Sequence, residues 1–340
     1  MPTSVRAYAK VNLGLYIGPR RDDSFHELRT VYQTIDRCDT VRVTTAAGTG
    51  IEIRCKHPKV PLDATNTCWR VAERVLRMLK QRRRVLIQIE KNLPVQGGLG
   101  AGSSNAAATM LALERELGAA LSPAEKFSIA CEIGSDVPLF LVGGTVLGIG
   151  HGEQVFPLPD LPPLALVVAT PSAGVSTPKA FADWDKLMAQ EPAALTPGGP
   201  ASRMNVFSHS MFVWLAGSLS GVPVKDRDRA ENVTPERAKA ARPGGPEQTP
   251  LLDFVRAGIE NDFERVVFPQ HPELREVKRV LEREGAKYAS LSGSGSALFG
   301  LFETPETAQQ AAMKVSEKGI PAQATRTLGR GEYWRNLVIS

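Results

Sequence analysis

Cysteine is scarce in this chain. Among 340 residues there are four cysteines, Cys38, Cys55, Cys68 and Cys131, and no two of them form a Cys-x-x-Cys pair. Structural zinc sites and disulfide frameworks need cysteines at regular, matched spacings, so this distribution argues against both. Free thiols in a reducing compartment are the expectation.

Long hydrophobic runs are missing as well. The opening stretch, MPTSVRAYAKVNLGLYIGPRRDD, has no apolar core followed by a small-residue cleavage site, so a signal peptide is not expected. No run approaches the roughly 20 apolar residues that a membrane helix needs. We therefore expect a soluble, cytoplasmic protein without a membrane partner.

The charge has no strong bias of sign. The chain carries 41 Lys and Arg against 36 Asp and Glu, a net charge of +5. The basic run at residues 80–84 abuts an apolar, strand-like segment, which favours a solvated helix end over a nucleic-acid contact. This balance favours weak attraction of small anions, with no nucleic-acid partner.

One glycine-rich stretch lacks the lysine of a P-loop. Residues 92–111 read NLPVQGGLGAGSSNAAATML, without Gly-Lys-Ser/Thr, and no His-Arg-Asp or Asp-Phe-Gly segment follows. Walker-type ATPases and protein kinases are thereby excluded. Two interpretations remain: a phosphate site of another kind, or a glycine-rich turn between a strand and a helix.

The loop has the parts of an anion site built from backbone. Gly97, Gly98 and Gly100 allow positive φ angles and close approach of a ligand. Gly102 and Ser103 lead into an alanine-rich helix predicted to begin near Ser104, and a helix start offers free N–H donors. The serine hydroxyls can bind a phosphate oxygen or a metal.

Alternation of strand and helix patterns predicts an α+β protein with two domains, divided near residue 170 (1–170 and 171–340). In the first domain, LRTVYQTI and DTVRVTTA are predicted as separate strands, and Ser122 with Glu125 predicts a capped helix. In the second, helices flank a strand–turn–strand unit, which indicates an antiparallel sheet. Residues 189–250 are rich in Pro, Gly and charge and are predicted to be flexible insertions.

Three sequence blocks together resemble the GHMP kinases, a family that phosphorylates small molecules. The loop matches the family's phosphate signature from Pro94 to Ser104. AYAKVNLGLYIG near the N-terminus and LSGSGSALFGLF at 291–302 are similar to its other two blocks. The resemblance implies a two-domain fold with a mixed or antiparallel first sheet, an antiparallel second sheet, and an active site in the interdomain cleft.

The N-terminal block narrows the resemblance. Ala9-Lys10-Val11-Asn12-Leu13 and the segment from Phe25 to Gln33 are similar to a branch that uses a cytidine diphosphate-linked polyol, as are residues 133–153 and 171–181. The implied reaction is ATP-dependent phosphorylation of the 2-hydroxyl of 4-diphosphocytidyl-2-C-methyl-D-erythritol, in the non-mevalonate route to isoprenoids. Alternatives are another GHMP kinase, acting on mevalonate, homoserine or a sugar, and an inactive sensor of the same fold.

The resemblance also implies roles for single residues. Asp136 is the implied base for the acceptor hydroxyl, and Lys10 is its implied partner. A lysine in an apolar strand is costly to bury unless it is paired, and the alternatives are a surface lysine and an Asp that caps a turn. Residues implied in substrate binding are Asn12, Phe25, His26, Thr177, Phe181 and Gly293, with Phe25 and Phe181 on the two faces of cytosine.

ATP is implied to bind along the loop. The residues concerned are Asn66, Lys91, Pro94, Gly97, Gly98, Leu99, Gly100, Ala101, Gly102, Ser103 and Ser104. Mg²⁺ is expected to be held mainly by the nucleotide, with Ser104 as a candidate protein ligand. One position departs from the expected pattern, since Asn105 stands where the resemblance suggests Asp. A small-molecule partner is expected, in a monomer or a homodimer.

Overall fold

The structure, a computed structural model, describes residues 2–190 and 259–339. Within these two ranges the chain forms ten strands, eight α-helices and one short 3₁₀ helix. No helix in the described ranges is long and apolar enough to cross a membrane.

The first sheet has six strands, and its centre is a long antiparallel pair. Its strands are β1 (Thr3–Arg20), β2 (His26–Ala47), β3 (Gly50–Cys55), β4 (Arg83–Glu90), β5 (Thr145–Ile149) and β6 (Gln154–Pro157). The order is β3-β4-β2-β5-β6, β1 pairs with β2, and only β3 and β4 run parallel. The expectation of a mixed sheet is confirmed.

Strand β2 corrects one expectation. The two strands predicted at LRTVYQTI and DTVRVTTA form one continuous strand. Opposite β1, the partner of Tyr8 is Cys38 and that of Ala9 is Ile35, so Asp36 and Arg37 form a bulge in the pairing. The charged pair that resembles a turn in the sequence is therefore accommodated inside the strand.

The second sheet is antiparallel throughout, as expected. Its strands are β7 (Ala165–Ala169), β8 (Tyr288–Leu291), β9 (Leu298–Phe302) and β10 (Ala322–Arg326), in the order β10-β7-β9-β8. Strand β7 pairs with both β9 and β10 although it precedes residue 170. The domain boundary near residue 170 stays a prediction.

Helices cover both sheets. They are α1 (Thr67–Met78), α2 (Ala101–Leu117), α3 (Pro123–Ile133), α4 (Thr177–Gln190), α5 (Glu264–Gln270), α6 (Pro272–Arg283), α7 (Pro305–Glu317) and α8 (Arg330–Leu337). The predicted Ser122–Glu125 capping box at α3 is confirmed. Helix α2 begins at Ala101 and not near Ser104, which is a correction. The predicted insertions at 189–250 lie outside the described residues except for the end of α4.

The two sheets share a core along β1. Ala9, Val11 and Leu13 of β1 pack in one cluster with Leu166 of β7 and Phe299 of β9, and all five are buried. Because successive side chains of a strand point to opposite faces, the residues between them, Lys10 and Asn12, face away from this core. This alternation gives a buried strand one polar face.

Candidate active site

A cleft of about 1270 Å³ lies along this polar face of β1. Its walls are the loop before α2, the end of β4, the start of α1, the turn before the 3₁₀ helix Pro138–Leu141, and the turn between β8 and β9. A large concave site with few converging polar groups is the usual form of a small-molecule site. The cleft thus brings together segments from both halves of the chain, residues 1–170 and 171–340.

The glycine loop adopts conformations that require glycine. Gly98 and Gly100 have φ angles of 81° and 70°. A Cβ atom at Gly98 would collide with the carbonyl oxygen of Ser292, and one at Gly100 would lie 2.9 Å from the Phe140 ring and 3.1 Å from Cγ of Lys10. Both positions therefore need glycine for backbone conformation and for space.

The start of helix α2 faces the cleft. Its N-cap residue, Gly100, is left-handed and provides no side-chain cap, so the N–H groups of the first turn keep their hydrogen-bonding capacity. Ala101, Gly102 and Ser103 of this turn line the cleft. Free amides at the positive end of a helix form an anion site.

The turn between β8 and β9 is hydrogen-bonded to this loop. Ser292 Oγ donates to Gly98 O at 2.9 Å, and the N–H of Ala297 donates to Gly97 O at 3.0 Å. A Cβ at Gly293 would lie 3.5 Å from Asn12 Oδ1 and 3.7 Å from Lys10 Nζ, which puts this turn directly against the polar face of β1. The two predicted glycine segments are thus one joint structure.

Lys10 and Asp136 meet at the centre of the cleft. Lys10 Nζ is 3.3 Å from Asp136 Oδ2 and donates to Asn12 Oδ1 at 2.6 Å. The lysine side chain is 3% exposed and that of Asp136 is 28% exposed. The ammonium group is therefore enclosed by its partners, while the carboxylate keeps an open side.

Tyr32 completes this centre, although no role for it follows from the sequence. Its hydroxyl donates to Asp136 Oδ1 at 3.0 Å, and Lys10 Nζ lies 5.4 Å from the centre of its ring. Burial, and then the charge of Asp136, hold the pKa of Tyr32 well above its usual value. Tyr32 shares a face of β2 with Thr30, which accepts from Asn12 Nδ2 at 2.8 Å. The period of two along β2 is the signal that points to both residues.

Aromatic rings form one end of the cleft. Phe25 is 55% exposed, and its ring centre lies 4.8 Å from that of His151. The rings of His26 and Phe181 are stacked at 5.0 Å with an interplanar angle of 8°, and Phe181 meets Phe263 edge-on. The expected pair Phe25 and Phe181 thus lines the cleft, but one face of Phe181 is already covered by His26.

Two further side chains fix the histidines of this end. Asp185 Oδ1 lies 2.7 Å from His26 Nε2, and Ser135 Oγ lies 2.8 Å from His151 Nδ1. Both residues line the cleft and were not identified from the sequence. No periodic pattern connects them to their partners, because these contacts arise only from tertiary packing.

Thr177, the first residue of α4, also reaches the cleft. Its hydroxyl lies 2.7 Å from Ser294 Oγ in the second glycine turn. The structure therefore places Thr177 beside the turn that carries Gly293, and both residues line the cleft.

Asn66 and Lys91 line the other end of the cleft but are engaged in structural contacts. Asn66 caps α1, accepting from Cys68 N at 2.9 Å and donating to Pro61 O at 2.7 Å. Lys91 Nζ lies 2.5 Å from the buried carboxylate of Asp39. Because the two opposite charges of this pair offset one another, Lys91 offers little net charge to a ligand.

The remaining loop residues divide by exposure to the cleft. Pro94, Leu99 and Ser103 line it, whereas Ser104 is 2% exposed and does not. Asn105 lines the cleft, is 4% exposed, and its Oδ1 has no hydrogen-bond partner. Among the described residues no group of three or more His, Cys, Asp or Glu side chains could hold a metal ion.

Comparison with known protein families gives two matches. The family model described as GHMP kinases N terminal domain matches residues 66–144, and that described as GHMP kinases C terminal matches residues 251–321. The first covers the glycine loop and Asp136, and the second covers the turn between β8 and β9. The two models therefore match the two halves of the chain that meet at the cleft.

Two curated relatives extend this similarity over most of the chain. A protein of Solibacter usitatus named 4-diphosphocytidyl-2-C-methyl-D-erythritol kinase is 37% identical over 300 residues, which span 88% of this chain and 80% of the relative. A protein of the same name from Desulfitobacterium hafniense is 34% identical over 330 residues, spanning 96% of this chain and 97% of the relative.

Solved structures agree with this fold. A crystal structure of 4-(cytidine 5'-diphospho)-2C-methyl-D-erythritol kinase superposes with a TM-score of 0.69 at 28% identity, covering 96% of this chain and 99% of the other. Homoserine kinase from Cytophaga hutchinsonii has a TM-score of 0.65 at 18% identity, covering 99% of this chain and 97% of the other, which shows a shared fold.

Proposed function

Because the chain belongs to the GHMP kinase family, we propose that it transfers the γ-phosphoryl group of ATP to the 2-hydroxyl of 4-diphosphocytidyl-2-C-methyl-D-erythritol. The observation that carries this proposal is the position of the Lys10–Asp136 pair in one cleft between the glycine loop and the aromatic end. That order suits a phosphate donor on one side and a ring-bearing acceptor on the other. The products are ADP and the 2-phosphate of the substrate.

The loop and the pair divide the chemistry between them. Phosphoryl transfer depends mainly on positioning and on neutralising charge. In our proposal the amides of Gly98 to Ser103 hold the ATP phosphates, and Asp136 takes the proton of the acceptor hydroxyl. The hydroxyl oxygen forms its bond to the γ-phosphorus as the bond to the β-phosphate oxygen breaks. Lys10 lies 3.3 Å from Asp136 and offsets negative charge beside the acceptor.

The aromatic end suits cytosine in our proposal. Phe25 offers an exposed ring face for stacking, while the stack of His26 on Phe181 forms the facing wall. The carboxylate of Asp185 only accepts hydrogen bonds, so His26 donates to it through Nε2. In a neutral imidazole that donates through Nε2, the other ring nitrogen, Nδ1, is an acceptor. An acceptor suits the exocyclic amino group of cytosine. Asn12, Thr177 and Gly293 are proposed to contact the polyol and its diphosphate.

Mg²⁺ is proposed to enter with ATP. Among the described residues no acidic cluster could hold a metal ion. The phosphate oxygens of ATP would therefore supply most of the Mg²⁺ ligands, as they commonly do in kinases. Ser103 faces the cleft and fits this set better than Ser104. The metal would neutralise charge on the transferred group. A cytoplasmic location and a monomeric or homodimeric state also stay predictions.

An ATP-consumption assay tests the substrate assignment. The cytidylyl substrate is offered in parallel with mevalonate and homoserine, each with a control lacking acceptor. We expect rapid ADP release with the cytidylyl substrate and none with mevalonate or homoserine. Equal turnover of mevalonate or homoserine would contradict the substrate assignment and would indicate a GHMP kinase of other specificity. Binding without turnover of any acceptor would favour the inactive sensor.

A further inference from the structure

The two oxygens of the Asp136 carboxylate have different partners. Oδ1 accepts a hydrogen bond from the Tyr32 hydroxyl at 3.0 Å, and Oδ2 lies 3.3 Å from Lys10 Nζ. Tyr32 belongs to β2 and Lys10 to β1, the two long paired strands of the first sheet. The carboxylate is thus held at two points by the rigid centre of that sheet.

The slot around Tyr32 is shaped to hold its ring in one position. Tyr32 is 2% exposed. A Cβ at Gly148 would lie 2.5 Å from Tyr32 Cε2, and a Cβ at Gly152 would lie 2.6 Å from the tyrosine oxygen. The oxygen is also 3.4 Å from Gly152 O. Two glycines therefore make the space that the phenol fills, and the hydroxyl cannot move far from Asp136.

Asp136 needs such a restraint. It is 28% exposed and lies in the turn just before the 3₁₀ helix Pro138–Leu141. A carboxylate held at one oxygen alone can rotate towards water. Because the pKa of Tyr32 is held high by burial and by Asp136, the phenol remains a hydrogen-bond donor at neutral pH.

We propose that Tyr32 is a positioning residue, whose hydroxyl fixes the rotamer of Asp136 so that its open side faces the acceptor hydroxyl. This inference rests on the proposed role of Asp136 as the base. Tyr32 acts through Asp136 and need not contact either substrate. Its loss should therefore affect the rate of the bound complex and leave the binding of ATP and acceptor intact.

The test replaces Tyr32 by phenylalanine, which fills the same slot without the hydroxyl. Hydrogen bonds to charged groups are among the stronger ones, so we expect Tyr32→Phe to lower kcat about tenfold. KM for ATP and KM for the cytidylyl substrate should both stay within about twofold of the unmodified protein, since losing an interaction that acts only in the transition state lowers kcat and leaves KM unchanged.

The matched control is Tyr333→Phe. Tyr333 is equally buried at 2% exposure, and its hydroxyl donates to Phe140 O at 2.6 Å without lining the cleft. Both variants lose one buried hydroxyl, so they should show similar falls in thermal stability, and only Tyr32→Phe should lower kcat.

Two results would overturn the inference. One is an unchanged kcat in Tyr32→Phe, and the other is an equal loss of kcat in both variants. Asp136→Asn separates this inference from the function beneath it. If Asp136→Asn loses turnover while Tyr32→Phe does not, the positioning role fails and the base stands. If Asp136→Asn remains active, the base assignment itself fails.

Discussion

Lys10 and Asp136 differ in burial, and that difference is chemically useful. Removing a charged group from water costs several kcal/mol unless partners replace the lost solvation. Lys10, at 3% exposure, has Asn12 Oδ1 and Asp136 Oδ2 as replacements. Asp136, at 28% exposure, has two partners and remaining lone pairs on its open side. The enclosed group is thus suited to hold charge, and the open one to exchange a proton with a bound molecule.

The Asp136 carboxylate can be tested by an isosteric substitution. Asp136→Asn keeps the size of the side chain but removes the negative charge and most of the basicity. We expect kcat to fall by about 10²–10⁴-fold, the usual contribution of a general base. ATP affinity, measured by titration calorimetry, should change little, because the glycine loop is intact.

Asp160→Asn is the matched control for this prediction. Asp160 is 31% exposed, lies 3.9 Å from Arg330 and does not line the cleft. Its loss should reduce stability without reducing kcat. Near-normal turnover of Asp136→Asn would remove the base assignment.

Single residues differ in how far the sequence could predict them. The shared face of Lys10 and Asn12 follows from the period of two along a strand, and the 2.6 Å hydrogen bond confirms it. The meeting of Lys10 with Asp136 was implied by family resemblance alone, and the structure shows the contact. His151 and Asp185 could not be found, because nothing local places a turn or a helix against a distant aromatic ring.

At the scale of elements, the two glycine segments act together. Each was predicted separately, one as a phosphate loop and one as a turn between strands. The sequence does not show the hydrogen bonds between them, in which Ser292 Oγ donates to Gly98 O and the N–H of Ala297 donates to Gly97 O. Such contacts depend on how the second sheet packs along β1, so they cannot be derived from either segment alone.

Gly98→Ala tests this joint structure. The φ angle of Gly98 is 81°, and an added Cβ would collide with the carbonyl oxygen of Ser292. The backbone strain costs about 1–2 kcal/mol, and the collision adds to it by pushing the turn away from the loop. We expect lower stability in urea unfolding and a loss of kcat/KM for both substrates.

Gly118→Ala provides the control for the loop. Gly118, at the end of α2, has a φ angle of 59°, and an added Cβ would meet no atom within 4 Å. It should cost about 1 kcal/mol of stability for the left-handed backbone and leave the kinetics unchanged. Equal stability and equal kinetics of the two variants would show that the contact between loop and turn is unimportant.

Element boundaries were the weaker part of the prediction. Helix α2 starts at Ala101, three residues before the expected Ser104, because Gly100 itself ends the loop in a left-handed conformation. Gly102 and Ser103 therefore belong to the first helical turn and contribute its free amides. Glycine at such positions resembles loop sequence, so the sequence predicts a later helix start than the structure shows.

At the scale of the whole molecule, the chain crosses between its halves more than once. Leu15 of β1 exchanges backbone hydrogen bonds with Glu260 and Asp262, at 3.0 and 2.9 Å. Helix α8 returns to the first half, where Tyr333 and Leu337 join its core. Strand β1 itself contributes to three buried clusters. Neither half is therefore closed on its own, whatever boundary is drawn near residue 170.

This connectivity predicts a single cooperative unfolding transition. Two tryptophans report on different halves: Trp69 packs against the core of the first, and Trp184, at 1% exposure, lies in that of the second. Variants that keep one of these and replace the other three of the four tryptophans by phenylalanine isolate each signal. Halves that share core and backbone hydrogen bonds should unfold together, so within each variant we expect tryptophan fluorescence and far-ultraviolet circular dichroism to give coincident midpoints.

Ligand binding sharpens this last test. A slowly hydrolysed ATP analogue at about 100 times its Kd should raise the unfolding free energy by about 2.7 kcal/mol. In our proposal the nucleotide binds at the loop before α2, which belongs to the first half. If unfolding is cooperative, the analogue must nevertheless move the Trp184 midpoint as far as the Trp69 midpoint. A shift confined to Trp69, or separate midpoints without ligand, would show that the halves unfold independently despite the shared strand β1.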